Sequence, residues 1–127
     1  MLGGLFLISA NDFIFFYLSL EVFSMPLYIL AASKVNSNYS TESGLKYYIA
    51  SSTASALFLF GTSLIYLQTG SLDFETLKLN FLYSDFLSSV YQDKIGMRTP
   101  YTWLEFFGSI CIMFSLFIKL GVPPFHL

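Results

Sequence analysis

Charge is what this chain of 127 residues has least of. Its 8 acidic and 6 basic side chains make up 11% of the sequence, against about a quarter in soluble domains. So little charge excludes a water-soluble globular domain, and the lack of any basic cluster excludes a nucleic-acid binder. The single cysteine, Cys111, lies inside an apolar run, so the chain has neither a disulfide framework nor a cysteine set for iron–sulfur or zinc. No glycine-rich nucleotide loop is present. Met1 to Ala10 has no positive flank and only a short apolar core, so it is not read as a secretory signal. What is abundant is apolar: 55% hydrophobic residues, with 15 Phe and 9 Tyr. This is the composition of an all-α membrane protein, since a lipid-embedded backbone must satisfy its own hydrogen bonds.

The apolar runs predict three transmembrane helices, at about 12–32, 45–69 and 103–122. A partial helix is expected at 2–9, and an amphipathic interfacial helix at about 72–91. Residues 1–127 then form a single fragment of a helical membrane domain, completed by other chains. The first span has twenty-odd residues, roughly 30 Å of helix, enough to cross a hydrocarbon core. Asn11 or Asp12 is expected to cap it, and Ser40 or Thr41 to cap the second span after a polar linker, Ser33 to Gly44. The second span carries only small residues from Ala50 to Ala56, with Ala50 and Ala54 four apart, so neighbouring helices should approach it closely. In the interfacial segment Leu79, Leu82, Phe86 and Val90 recur at helical spacing, with Phe81 widening the stripe.

Four residues carry the candidate chemistry. Glu21 lies nine residues into the first span, near mid-membrane, where a charge costs on the order of 2.5–3.5 kcal/mol and so needs a partner or a purpose. Five residues later Pro26 leaves the Val22 carbonyl without its helical hydrogen bond, a further polar group beside the acid. From the residues alone Glu21 is either a neutralised or structural acid, or a site that handles protons or ions. Lys46 stands at the start of the second span, within pairing distance of Glu42, and reads first as an interfacial lysine. Lys119 follows thirteen uncharged residues after Glu105 and precedes Pro123 and Pro124. It snorkels if the helix breaks at the surface, and is a buried lysine in a discontinuous helix if the break lies inside the membrane. His126 follows as a polar neighbour of that helix end.

Three blocks carry a resemblance: FLISANDFIFFYLSLEVFSMPLYILAAS, then TESGLKYYIASSTASALFLFGTSLIYLQTGSLDF, then LFIKLGVPPFHL. In this order they resemble the antiporter-like membrane subunits of NADH:ubiquinone oxidoreductase, respiratory complex I, and within them the subunit 2 branch. Mrp-type cation/proton antiporters share the wider family. The resemblance covers nearly all of the chain except about residues 78–100. It implies a bundle of inverted five-helix repeats in which Glu21 and Lys119 face each other as an ion pair. It further implies a proton pathway made of Glu21, Lys119, Lys46 and His126, with no catalytic, cofactor or metal residue on this chain. NAD, FMN, iron–sulfur clusters and ubiquinone would belong elsewhere in the complex.

The loop before the third span is longer than the family's, and the helices before and after the matched blocks are absent. The expectation is therefore a piece of a split mitochondrial subunit in the inner membrane, its remainder on another chain. Its partners would be other complex I membrane subunits and lipids, with no nucleic acid. Two other functions fit the residues: a cation/proton antiporter subunit, and a purely structural subunit whose charges lock helices.

Overall fold

The computed structural model describes residues 1–34, 36–95 and 101–121. Five helices follow in order: α1 (Leu2–Ile8), α2 (Phe13–Ala31), α3 (Asn38–Thr69), α4 (Phe74–Ile95) and α5 (Tyr101–Leu120). Three of them, α2, α3 and α5 from Trp103 on, are long and apolar enough to cross a membrane, and the chain is an all-helical membrane protein.

The helix boundaries correct two capping expectations. α3 begins at Asn38, ahead of Ser40 and Thr41, and at 32 residues it is about 48 Å long, so its first turns reach beyond a hydrocarbon core. The Ser40 hydroxyl instead donates to the Ala31 carbonyl at 2.9 Å and accepts from the Lys34 N–H at 3.3 Å. It thereby serves the end of α2, one of whose last carbonyls has no helical partner. Asp12 does occupy the N-cap position of α2, but its side chain makes no capping bond. Its carboxyl is engaged with Asp73.

That engagement ties α4 to the bundle. Phe13 N–H donates to the Leu72 carbonyl at 3.2 Å and Phe74 N–H to the Asn11 carbonyl at 3.0 Å, closing an antiparallel bridge between Asp12 and Asp73. A hydrogen bond to the Asp73 carboxyl holds Asp12 above the usual carboxylate range, with burial and the charge of Asp73 acting the same way. The folded chain thus binds this proton more tightly than the unfolded one. The contact favours folding in acid, and that contribution is lost as pH rises through the raised value. Asp12→Asn keeps a hydrogen-bonding group and removes the repulsion. It should raise the melting temperature at neutral and alkaline pH and flatten its pH dependence. A melting temperature lowered equally at every pH would show that the carboxyl itself is needed.

The recurring stripe on α4 faces away from the bundle, the orientation of an apolar face turned to a lipid surface. Leu79, Leu82 and Phe86 are 59–65% exposed, while Leu77 is 3% exposed and packs with Phe58, Ile65 and Ile112. Phe81 joins them from the same face. Residues 77 and 81 are also a helical repeat, so periodicity alone could not choose between the two faces. The side chain of Val90 lies outside the described residues.

α5 packs most extensively against α3, α1 packs on α2, and α2 on α3. The α3–α5 crossing is tight at two glycines: a Cβ on Gly61 would lie 2.7 Å from the Gly108 carbonyl oxygen, and one on Gly108 would lie 2.9 Å from that of Gly61. Small residues at a crossing let backbones meet, which is how membrane helices gain packing energy. Of the Ala50–Ala56 block, Ser51, Ala54 and Ser55 are buried, while Ser52, Thr53 and Ala56 face outward.

Candidate functional site

Apart from Ser19, whose hydroxyl donates to the Phe15 carbonyl of its own helix at 2.7 Å, the polar side chains of α2 share one stripe. Tyr17, Glu21, Ser24 and Tyr28 follow at spacings of 4, 3 and 4, which place them on one face of the helix. Glu21 is the ninth of 19 residues in α2, so its carboxyl stands near the middle of the span. Across the seam, α3 offers hydroxyls at the same height. Tyr28 donates a hydrogen bond to Ser51, and Tyr17 is hydrogen-bonded to Ser55. Because these two tyrosines flank Glu21 on α2, Ser51, Ala54 and Ser55 lie level with the acid.

Lys119 completes the site from α5. Its Nζ donates to Glu21 Oε1 at 3.0 Å, and the two side chains are 10% and 24% exposed. Ninety-eight residues separate the partners in sequence. The bond spans two helices that have no extensive packing of their own, each being held instead against α3. Lys119 lies in the last turn of α5, yet it pairs with a residue midway along α2. The end of α5 is therefore level with the middle of α2. Gly121 follows at φ 66°, a left-handed conformation that closes a helix end, with its N–H donating to the Ile118 carbonyl at 3.1 Å.

Lys46 is not brought together with the pair. Lys46 Nζ lies 2.7 Å from Glu42 Oε1, one helical turn away, with the side chains 65% and 58% exposed. This is a solvated pair on the first turns of α3, far outside the buried seam. Lys46→Ala should therefore leave assembly and proton translocation near wild type, because exposed pairs of this spacing hold little energy. Lost translocation in an assembled Lys46→Ala complex would place Lys46 on the pathway after all. His126, Pro123 and Pro124 lie outside the described residues, as does the expected helix end at Val122.

Two polar features escaped the sequence reading. Ser115, one turn before Lys119 on α5, is 0% exposed, and its hydroxyl has no hydrogen-bond partner among the described residues. A serine four residues from a candidate buried lysine, on the same helical face, was the available signal. The Tyr28–Ser51 bridge gave a weaker one: a tyrosine at a heptad from Glu21, with serines in the next span.

Comparison with known proteins adds three findings. Residues 10–127 match the family described as NADH:quinone oxidoreductase/Mrp antiporter, TM. The chain is 37% identical over 127 residues to NADH-quinone oxidoreductase subunit N of Magnetococcus marinus, across all of this chain and 23% of that protein. It is 39% identical over 126 residues to NADH-ubiquinone oxidoreductase chain 2 of Dictyostelium discoideum, again across 23% of that protein. Among solved structures, respiratory complex I from Thermus thermophilus with bound aureothin contains a chain superposing with a TM-score of 0.70. The identity is 27%, over 98% of this chain and 24% of that one. The present chain thus spans about a quarter of the length of the relatives it matches.

Proposed function

The chain belongs to the NADH:quinone oxidoreductase/Mrp antiporter family of transmembrane proteins, and we propose that it supplies part of the proton path of a proton-translocating NADH:quinone oxidoreductase. The observation that carries this reading is the Lys119–Glu21 contact, 3.0 Å long and largely buried midway along a spanning helix. An ammonium in a desolvated site gives up its proton readily, and a neighbouring carboxylate holds that proton on. Moving the two partners apart and together is thus a way of releasing and reloading a proton without redox chemistry. Redox chemistry would be supplied by other subunits, with this chain acting as a non-redox part of the enzyme.

The relatives named here favour the respiratory enzyme over a free-standing antiporter, since each is an oxidoreductase subunit or chain. The chain 2 relatives of Marchantia polymorpha and Dictyostelium discoideum support a place in the mitochondrial inner membrane. Its partners are then other membrane subunits of such a complex. Gentle solubilisation followed by mass spectrometry tests this directly. The expected result is co-purification with subunits of an NADH-oxidising complex whose reconstituted form acidifies one side of a vesicle. Co-purification with cation/proton antiporter subunits and no NADH oxidation would replace this reading with the antiporter one.

A further inference from the structure

The surroundings of Glu21 differ in its two directions along α2. Toward the start of the helix the seam is filled by rings. Phe58 of α3, 1% exposed, takes Phe13, Phe16 and Tyr17 of α2 at centroid distances of 6.2, 5.9 and 6.0 Å, and Ile65, Leu77 and Ile112 continue the apolar packing. Besides the Tyr17 hydroxyl, the buried hydroxyls toward this end are Thr62, which donates to the Leu59 carbonyl of its own helix at 2.9 Å, and Ser115 of α5. Toward the end of α2 the seam is instead lined by hydroxyls. Ser24 and Ser51 are 7% and 6% exposed, and the Tyr28 hydroxyl bonds to Ser51. Beyond them come Tyr47 and Tyr48, whose rings meet Tyr28 edge-on at 5.1 and 5.7 Å, and then the exposed Lys46–Glu42 pair.

We propose that the Tyr28–Ser51 hydroxyl bridge is the relay through which Glu21 exchanges protons with the aqueous face at which α2 ends and α3 begins. The inference rests on the proton-path reading above. Both residues position the transfer and neither changes its own charge. A proton reaching Tyr28 from that face forms a new O–H bond on the phenol oxygen as the existing O–H proton passes to Ser51 Oγ. Ser51 releases its original proton toward the Glu21 carboxylate, which becomes a carboxylic acid. Each hydroxyl ends with one proton, and the net change is one proton taken from water and placed on Glu21. The last hop crosses the seam beside Ser24 and Ser55, where a water molecule held by these hydroxyls would carry it. The charged or titratable groups facing this site are Lys119 from α5, Tyr17 and Tyr28 from α2, and Tyr47 and Tyr48 of α3 against the Tyr28 ring, while the rest of α3 contributes serine hydroxyls at this height.

The test uses the assembled complex containing this chain, reconstituted in vesicles, with protons moved per NADH oxidised as the readout. Variants are compared at equal content of assembled complex. Tyr28→Phe and Ser51→Ala should each slow proton transfer by about tenfold, less than the hundredfold or more expected for losing a direct proton donor, because water partly replaces a hydroxyl. Ser51→Thr keeps the hydroxyl and should stay near wild type. If Ser51→Thr is as impaired as Ser51→Ala, packing is the cause and the relay is overturned. It is also overturned, with the proton-path reading intact, if Tyr28→Phe and Ser51→Ala pump normally while Glu21→Gln does not. Normal pumping by Glu21→Gln would remove that reading and the relay together.

Discussion

Glu21→Gln should give a complex that assembles and oxidises NADH but moves fewer protons for each NADH consumed. Glutamine keeps the shape of the side chain and can still meet Lys119, so the helix packing of α2 on α3 is unaffected. What it loses is the negative charge that holds a proton on the lysine and the oxygen that can itself take one. Removing a group that handles the proton directly should slow transfer through this site by about a hundredfold or more. Stability responds differently. An ammonium left without its partner in a buried pair costs about 3–5 kcal/mol, but Lys119 can avoid most of that cost by shedding its proton. The double variant Glu21→Gln, Lys119→Gln leaves no buried charge and should assemble no worse than either single variant, a non-additivity expected of residues in contact. Unchanged pumping per NADH in assembled Glu21→Gln complex would make Glu21 a structural acid, and the structural-subunit function would then stand.

Half of this pair was legible in the sequence. Glu21 is conspicuous because it interrupts an apolar run near its centre, and the energetic cost of that position demands an explanation from the residue alone. Lys119 is not conspicuous. A lysine one or two residues before a helix end is ordinary, and whether that end lies in water or in the membrane depends on how far α5 slides along α3. Its register is set by Gly61 and Gly108, a contact between two helices that no local pattern encodes. Within the sequence, only the resemblance joins the two residues.

The other misses have the same origin. On α4 the periodicity announced an amphipathic helix, but that Leu77 would be buried against Phe58, Ile65 and Ile112 was decided by α3 and α5. Ser40 was read as a start signal for the helix that follows it, whereas its hydroxyl caps the helix that precedes it. Both functions are chemically available to a serine in a short linker. Asp12 was correctly placed at a helix start, but its carboxyl meets a second carboxylate 61 positions further along, Asp73, and not its own backbone. Local chemistry was readable throughout, and what was not readable was which long-range neighbour would claim it.

The register argument leads to the largest structural effect. Gly61→Ala adds one methyl group in the middle of α3, and in an isolated helix that change would be favourable by about 1 kcal/mol. Here the added Cβ would fall 2.7 Å from the Gly108 carbonyl oxygen, 2.8 Å from Ile112 Cγ1 and 3.2 Å from Cys111 Cβ. The nearest of these is backbone, so a side-chain rotation cannot relieve it, and the two helices must part. Overpacking of this kind costs about 1–3 kcal/mol, which exceeds the propensity gain. The parting also acts at a distance, because Lys119 is carried by α5 while Glu21 is held through α2 against α3. Gly61→Ala should therefore reduce the amount of assembled complex and lower its melting temperature. In the complex that does assemble, it should lower protons moved per NADH as well. Gly4→Ala is the control, since a Cβ at Gly4 of α1 meets nothing within 4 Å and only the favourable propensity term remains. Thermal melting of the assembled complex, read beside the proton ratio, separates the outcomes. A Gly61→Ala complex as stable as the Gly4→Ala control would mean that α3 and α5 cross less tightly than described, and the register that brings Lys119 to Glu21 would lose its cause.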